Sequence, residues 1–464
     1  MSLPFHRLPV RSVAAAASLL DPRRLRDDLS WRLLRDGYDG IAVDRERLGG
    51  ADPFVTTLLG KRAVVVRGPE GVRLFYDESV VQRAGAIPPP LGWLLFGRGA
   101  VHTLDDEQHK VRKQVFLDLL GPERVEPVAE GVRSRLAGRA ERWAAGVTVF
   151  DELVEVYGDA VLAWAGIRVD EEESRRLSHL MAAIVDGFGF AGPAYPRAWV
   201  ARLRLNRWAT DLVRGVRGGS VLTPSDRALA VLAAREDLDD HTAGVELLNI
   251  LRPTVAVAWP ATLAIAHLLR LPEPERVAQA DVLTPYVHEC RRLQPFAPAL
   301  AGRVRRATEH RGVALNPGDM LVLDIVGTHT DPATWGGPEH AVAFDPARFA
   351  TGTDPDPYRL VPQGGGDPAR GHRCPGEPLA VRILETTVRE VARQGLQVVT
   401  AGATDRRRIP TLPDPPVRVA RAAGGAHHTP NADPGAGYRS LVGTRPGHHR
   451  SGPAPRPGRS EDGE

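Results

Sequence analysis

The chain has 464 residues, of which 60 are basic, 57 are acidic and 42 % are hydrophobic, and its formal net charge is +3. The nearly balanced charge argues against a nucleic-acid-binding protein, so no nucleic acid partner is expected. The apolar content is sufficient for a large buried core.

The N-terminal region contains one apolar run, Val13 to Leu20. This run is too short to span a membrane and has no convincing cleavage site, so neither a membrane anchor nor secretion is expected. The two cysteines, Cys290 and Cys374, do not make a disulfide framework, which is typical of a reducing compartment. We therefore expect a soluble protein of the cytoplasm.

Eight long segments repeat apolar residues at steps of three and four, which predicts helices. They are 107–120, 122–143, 150–166, 171–187, 196–217, 241–270, 276–294 and 376–394. Short β-branched runs predict strands at 63–67, 319–324 and 397–400, with others near 303–315 and 415–420. The pattern predicts a mainly α fold with small β-sheets and no internal repeat.

The first segment with candidate chemistry is the loop that carries Phe96 and His102. A histidine in such a loop usually has a structural role. On the helix that follows, His109 and Lys113 lie four residues apart and share a face. Surface solvation is the alternative for both, and Arg112 would replace Lys113 if the helix were rotated by one residue.

The long apolar helix predicted at 241–270 contains a cation and two helix breakers. Pro253 and Pro260 remove backbone donors, lie on one face and predict kinks that open a cleft. Arg252 shares its face with apolar residues, where a lone cation is unfavourable without an anion. An internal acid such as Glu246 or a carboxylate of a bound cofactor would satisfy it.

Further along, Glu289 and Arg292 have the spacing of a bidentate pair on one helix face. An ordinary surface salt bridge has the same spacing. The densest basic run before the C-terminal tail is Arg303 to Arg306, which indicates either a solvated strand edge or a basic group beside a cofactor.

The stretch from Pro362 to Glu377 is a glycine-rich loop that brings Cys374 to the start of a predicted helix. Glycines allow the backbone to approach a flat group closely, and a helix N-terminus would stabilise a thiolate. A phosphate-binding loop would need a lysine after the glycines, and a cysteine protease would need a partner histidine. A plain surface turn is the remaining alternative, but the residues from His372 to Gly376 frame the cysteine too specifically for it.

The last forty or so residues differ in composition from the rest of the chain. From Gly424 onward they are mainly Gly, Pro, His, Arg and Ser, which predicts disorder because little apolar surface could be buried. The histidine pairs at 427–428 and 448–449 could bind metal, but a solvated tail is the favoured interpretation. We predict one catalytic domain over residues 1–423 and a tail over 424–464.

The cysteine loop resembles the haem-thiolate loop of the cytochrome P450 superfamily, in the Gln-Gly-Gly-Gly and Gly-His-Arg-Cys-Pro-Gly-Glu form of its fatty-acid peroxygenase branch. The common superfamily loop has an aromatic residue and a glycine where Asp367 and Arg370 stand, whereas the branch has a longer, aromatic-poor loop. Glu289, Arg292 and the segment Phe344–Phe349 follow the order found in superfamily members. The resemblance covers roughly residues 20–420 and implies a cytochrome P450 fold, mainly α with small β-sheets, with haem between two long helices.

The resemblance also implies roles for single residues. Cys374 would bind the iron of haem b, and Glu289 with Arg292 would be structural. Four residues would belong to the cofactor site, namely His109, Lys113, Arg303 and His372.

On the distal side, Arg252 and Pro253 stand where monooxygenases of the superfamily carry an acid-alcohol pair. In the peroxygenase branch this arginine binds the carboxylate of a fatty acid. Phe96 and His102 match the substrate-pocket loop of the branch, and a histidine at that position resembles the olefin-forming decarboxylases.

The implied enzyme is a fatty-acid peroxygenase that uses hydrogen peroxide and needs no redox partner. It would hydroxylate fatty acids at the α or β carbon, with decarboxylation to terminal alkenes as a second outcome, and the carboxylate held by Arg252 would serve as general acid-base. The alternatives are a reductase-dependent cytochrome P450 monooxygenase and a non-enzymatic haem-binding sensor. A monomer or weak oligomer is expected.

Overall fold

The computed structural model describes residues 27–189, 192–350 and 355–421. The apolar run at 13–20 and the tail from Gly424 lie outside these ranges, so the predictions made for them remain predictions.

Helices make up most of the described chain. In the N-terminal half they are α1 (Leu29–Asp36), α2 (Gly40–Arg47), α3 (Gly68–Phe75), α4 (Pro89–Leu95), α5 (Asp106–Leu119), α6 (Pro122–Gly138), α7 (Ala140–Ala145), α8 (Val149–Trp164), α9 (Glu171–Asp186) and α10 (Ala194–Arg217). The remaining helices are α11 (Ala228–Ala233), α12 (Asp240–Ala256), α13 (Ala258–Leu268), α14 (Ala280–Leu293), α15 (Ile325–His329), α16 (Pro332–Trp335), α17 (Pro338–Val342) and α18 (Glu377–Ala392).

The strands are short. They are β1 (Phe54–Leu58), β2 (Lys61–Val66), β3 (Val81–Gln82), β4 (Val147–Thr148), β5 (Ala299–Val304), β6 (Thr308–His310), β7 (Val313–Leu315), β8 (Met320–Asp324), β9 (Leu396–Thr400), β10 (Ala403–Thr404), β11 (Pro413–Asp414) and β12 (Arg418–Arg421). The largest sheet has the order β1-β2-β8-β5-β3, and a three-stranded sheet has the order β4-β12-β9. Within the large sheet β2 and β8 run parallel, with Val64 opposite Leu321.

Alternation along β2 places side chains on both faces of the large sheet. Val64 and Val66 pack into one apolar cluster with α3, whereas Ala63 and Val65 pack into another with α1 and α2. The main core lies elsewhere, among the long helices from α5 to α14 together with α18. The sheet is therefore buried on both sides, and the helical core forms the larger part of the molecule.

Helices α12 and α13 form one apolar rod that is interrupted at Val257, between the two prolines. The interruption confirms the predicted break, because Pro253 and Pro260 each remove a backbone donor. Residues Asp240–Leu268 are long and apolar enough to cross a membrane, but 89 % of the apolar window is buried inside the protein. The rod is therefore a core helix of this fold.

Helix α10 crosses α12 at close range. A Cβ on Gly244 would lie 2.9 Å from the backbone of Ala209, so the crossing requires glycine there. The side chain of Asp239 accepts a hydrogen bond from the Thr242 N–H and caps the start of α12. The close crossing at Gly244 fixes the distance between α10 and α12, and the Asp239 cap fixes where α12 begins. Together they set the position of Arg252.

The predicted elements correspond closely to the observed ones. All eight predicted helical segments are helical, although the segment 122–143 divides into α6 and α7 and the segment 276–294 begins with a 3-10 turn, Pro274–Ala278. The helices before residue 96 and the strand β1 were not predicted. Their segments are short, so their apolar residues repeat too few times to define a period.

Candidate functional site

The glycine-rich loop packs against α3. A Cβ on Gly364 would lie 2.4 Å from the Tyr76 hydroxyl oxygen, and one on Gly365 would lie 2.5 Å from a Val72 methyl carbon. Gly364 has a φ of +98°, which side-chain-bearing residues rarely adopt. These two glycines therefore allow the loop to pack closely on the protein.

Cys374 lies between this loop and helix α18, with its N–H donating to the carbonyl oxygen of Gln363 at 3.0 Å. The Gly376 N–H, Lys113 and Arg291 all lower the pKa of its thiol, but burial is the larger effect and raises the pKa above its ordinary value. The helix N–H therefore favours the thiolate, as the sequence predicted, although its effect on the pKa is smaller than that of burial.

Behind the cysteine, charged side chains tie the loop to helices α14 and α18. Arg291 donates to Glu377, to Gln363 and to His288 Nδ1, and Arg373 Nε donates to Glu377 at 2.7 Å. Lys113 Nζ donates to the carbonyl oxygens of Gly371 and Arg373. Lys113 thus binds the cysteine loop itself.

A cluster of imidazoles lies on the α5 side of this loop. The rings of His109 and His372 stack with centroids 3.8 Å apart, and His372 Nε2 lies 3.2 Å from a carboxylate oxygen of Asp105. Burial lowers the pKa of His109 to about 3. Arg83 packs over Phe75, with its guanidinium carbon 4.0 Å from the ring centroid.

On the opposite side, helix α12 carries a chain of polar contacts. Glu246 accepts hydrogen bonds from the Val101 N–H at 2.8 Å, from Arg112 at 2.9 Å and from Asn249 Nδ2 at 3.0 Å. Arg252 Nη2 lies 3.5 Å from Asn249 Oδ1. Arg252 therefore reaches Glu246 only through Asn249, and Arg112 belongs to this side of the site and not to the cysteine loop.

Phe96 and His102 lie together within electrostatic range of Arg252. Their rings stack with centroids 4.2 Å apart and an interplanar angle of 11°. The His102 side chain is exposed, although protein atoms surround it at longer range. Burial, followed by the charge of Arg252, lowers the pKa of His102 to about 3, so the imidazole is neutral near pH 7.

The other predicted residues lie apart from this pair. Arg303 is in β5, and its guanidinium is near Gly85 and Gly318. Glu289 and Arg292 form a fully buried bidentate pair with distances of 2.7 Å. The alternative of a surface salt bridge is thus excluded for this pair.

Several site residues escaped the sequence analysis. Asn249 and Arg83 show no pattern that distinguishes them from other polar residues, because their importance depends on contacts across the chain. Arg291 could have been found, since it adjoins Arg292 and its partner Glu377 belongs to the cysteine motif.

Comparisons with known proteins agree on one family. The cytochrome P450 family model matches residues 267–391. Putative cytochrome P450 138 of Mycobacterium tuberculosis is 24 % identical over 408 residues, 80 % of this chain and 90 % of that protein. Human cytochrome P450 4A11 is 30 % identical over 147 residues, 31 % of this chain and 24 % of that protein.

Two solved structures match almost over their full lengths. Cytochrome P450SP alpha (CYP152B1) in complex with (R)-ibuprophen is 34 % identical, with a TM-score of 0.79, over 85 % of this chain and 98 % of that one. Ligand-free cytochrome P450 OleT is 30 % identical, with a TM-score of 0.80, over 85 % and 96 %. This chain belongs to the cytochrome P450 family. Within the family its place is the fatty-acid peroxygenase branch, to which both structures belong.

The cofactor of this cytochrome P450 is haem, with iron bound by the Cys374 thiolate. The residues around the cysteine fit such a group. His109 Nδ1 and Arg83 Nη1 are buried and have no hydrogen-bond partner among the described residues, and buried donors of this kind require acceptors. The anionic propionates of haem would supply them, so His109, His372 and Arg83 are the side chains that would hold the cofactor edge.

Proposed function

We propose that this cytochrome P450 is a peroxygenase that uses hydrogen peroxide to hydroxylate fatty acids at the α or β carbon, with decarboxylation to terminal alkenes as a second outcome. The similarity to P450SP alpha and to OleT supports the proposal, since a structure of an OleT variant was solved in complex with arachidonic acid. The arrangement around Arg252 supports the carboxylate as the recognised group.

The buried guanidinium of Arg252 lacks an anionic partner among the described residues. Arg252 is only 8 % exposed, its Nε atom has no hydrogen-bond partner, and no carboxylate of the described residues lies within ion-pair distance of it. Glu246, the acid that could have neutralised it, is already bound by three donors. A buried guanidinium of this kind needs an anion, and a fatty-acid carboxylate is one that matches its planar fork.

The carboxylate held at Arg252 would also perform acid-base chemistry. Of the described residues on this side, His102 is neutral, Arg252 is a cation and Glu246 is bound by three donors, so none of the three is a free acid. The substrate carboxylate can therefore take a proton from hydrogen peroxide and return it to the departing oxygen. Fixing the carboxylate also fixes the adjacent carbons, which accounts for α or β selectivity.

The remaining residues have supporting roles. When bound, haem supplies the oxidising chemistry, and the Cys374 thiolate adds electron density that favours cleavage of the O–O bond. Phe96 would pack against the alkyl chain, while His102 would exchange a proton near the β carbon and so favour loss of CO2. Pro253 would keep the helix open beside the substrate.

We further propose that the protein acts in the cytoplasm without a reductase or other redox partner and without a membrane anchor, as a monomer or weak oligomer. The independence from a redox partner follows from the direct use of peroxide.

The test is incubation of the purified haem-loaded protein with hydrogen peroxide and hexadecanoic acid, followed by mass-spectrometric analysis of products. Hydroxy acids and C15 alkene are expected. Replacing Arg252 with Ala should lower kcat/KM by about 10²-fold or more, because it removes the anchor of the acid-base group, while the thiolate-haem absorption spectrum is retained.

Reactions with NAD(P)H, a reductase system and catalase form the control. Products that appear only in that control would identify a reductase-dependent monooxygenase. Haem binding without any oxidised fatty acid in either reaction would identify a sensor.

A further inference from the structure

A second arginine, Arg202 on helix α10, is buried beside the same site. Its side chain has 0 % exposure, and its Nε, Nη1 and Nη2 atoms all lack hydrogen-bond partners within the described ranges. Leaving an entire guanidinium unsatisfied is strongly unfavourable. Arg202 belongs to no predicted motif, and the proposed peroxygenase chemistry does not use it.

The position of Arg202 is set by the loop that carries Phe96. A Cβ on Gly97 would lie 2.1 Å from Arg202 Nη2 and 2.6 Å from a methyl carbon of Val245. The guanidinium therefore rests in the space that the absent side chain of Gly97 leaves, next to Val245 of α12.

Val245 and Arg252 share one face of α12. They are seven residues apart, so their Cα atoms are separated by about 10 Å along the helix axis. The guanidinium of Arg252 lies closer to Val245 than its Cα atom does, because the side chain extends back one turn to Asn249. Arg202, beside Val245, and Arg252, which contacts Asn249, therefore lie along the same face of α12. The charge of Arg252 acts on Arg202.

The electrostatic balance of this region is positive. Burial, followed by the charge of Arg252, lowers the pKa of Arg202 to about 9, and burial lowers the pKa of Arg252 to about 10. Arg112, Arg202 and Arg252 are the cations here, and His102 is neutral. The carboxylates are Glu246, which is paired with Arg112, and Asp239, which lines the cleft beside Arg202. An additional anion is needed to offset the excess charge.

We propose that Arg202 is a second carboxylate-binding residue, and that the carboxylate of the fatty acid lies between the guanidiniums of Arg202 and Arg252. The inference rests on the proposed function and deepens it. Two guanidiniums select for a full negative charge, so a neutral head group of the same size is rejected. Arg202 acts in recognition and orientation, whereas Arg252 also serves the acid-base step.

The chain offers a matched control in Arg98. A surface cleft of about 580 Å³ is lined by both arginines, by Trp93, by Leu203 and by Asp239. Arg98 is exposed at this cleft and carries the same charge. Loss of Arg98 therefore reports the long-range electrostatic effect alone.

The experiment measures the dissociation constants of the haem-loaded wild type, Arg202→Met and Arg98→Met for hexadecanoic acid and for hexadecanamide by calorimetry. Arg202→Met should weaken binding of the acid about tenfold or more, the usual effect of losing a charged hydrogen bond, and should change binding of the amide by less than about twofold. Arg98→Met should change neither by more than about twofold.

The unfolding temperature of Arg202→Met, measured with and without the fatty acid, distinguishes a binding role of Arg202 from a purely structural one. Without ligand, Arg202→Met should unfold at or above the temperature of the wild type, because an unsatisfied buried cation has been removed. The increase in that temperature on adding the acid should shrink. Arg202→Gln provides a second neutral variant if Arg202→Met does not fold.

The inference would be overturned if Arg202→Met weakened binding of the acid and the amide equally, or left the affinity for the acid unchanged. It would also be overturned if the variant unfolded at a lower temperature than the wild type and the acid raised that temperature as much as in the wild type. Product formation by the wild type with peroxide is assayed separately. If the wild type binds the acid but oxidises nothing, the proposed function fails and the binding data still decide the role of Arg202.

Discussion

At the scale of single residues, burial sets the chemistry of the distal side. The sequence indicated that Arg252 would project among apolar side chains, and it is indeed buried. The sequence offered Glu246 or a carboxylate of a bound cofactor as its partner. Glu246 is not a direct partner, because Asn249 stands between it and Arg252. Asn249 is three residues from both Glu246 and Arg252, but this spacing alone does not show that its amide bridges them. The rotamers of all three side chains decide whether they make contact.

His102 gives a prediction about product choice. Replacing it with Gln should lower the ratio of alkene to hydroxy acid by about tenfold or more, because the amide cannot exchange a proton as an imidazole does. Since the pKa of His102 is about 3, its protonation does not change between pH 6 and 8, and the wild-type ratio should be constant over that interval. Gas chromatography of products with peroxide measures both.

The matched variant is His179→Gln, on the exposed surface of α9. It should leave the product ratio unchanged. An unaltered ratio in His102→Gln would show that the imidazole takes no part in the choice between hydroxylation and decarboxylation.

At the scale of elements, Arg292 joins three helices. It binds Glu289 of its own helix α14 and donates to the carbonyl oxygens of His329 at the end of α15 and of Ala341 in α17, both at 2.6 Å. The sequence predicted the pair with Glu289 from the helical spacing. It could not predict the carbonyl partners, which depend on where two short helices end.

Replacing Arg292 with Met should therefore lower the free energy of unfolding by about 3 kcal/mol, because the buried carboxylate of Glu289 loses its bidentate partner. It keeps only Arg348 Nε at 3.4 Å and the Asp345 N–H. Urea denaturation of the haem-loaded protein measures the change. The control is Arg133→Met, which removes an exposed i,i+3 pair with Glu130 and should change the free energy by less than about 0.5 kcal/mol. A similarly small change for Arg292→Met would contradict the structural role.

At the scale of the whole molecule, periodicity was sufficient for the long helices and for the central strands. The two central strands, β2 and β8, carry short apolar runs and were predicted. Short elements such as β3 and β11, of two residues each, are defined by their pairing with distant strands. Their residues alone contain no signal of that length.

The helical core also contains several histidines that must stay neutral. Burial lowers the pKa of His267 and of His288 to about 4, and that of His329 to about 3. Each value is below the ordinary 6.5, so the unfolded chain binds more protons than the folded one between about pH 4 and 6.5. These groups stabilise the fold fully above pH 6.5, and that contribution is lost as the pH falls.

Each buried histidine should make the free energy of unfolding fall by up to about 1.4 kcal/mol per pH unit below pH 6.5. Glu246 and Asp324 act in the opposite sense, because burial raises their pKa values, so a variant is needed to isolate one histidine. His329→Gln can keep the hydrogen bond from the Val361 N–H without a titrating ring. Urea denaturation at pH 7, 6 and 5 measures how the free energy of unfolding changes with pH. That dependence should be weaker in the variant than in the wild type by the equivalent of about one proton. An equal dependence would mean that His329 has the same pKa in the folded and unfolded chains.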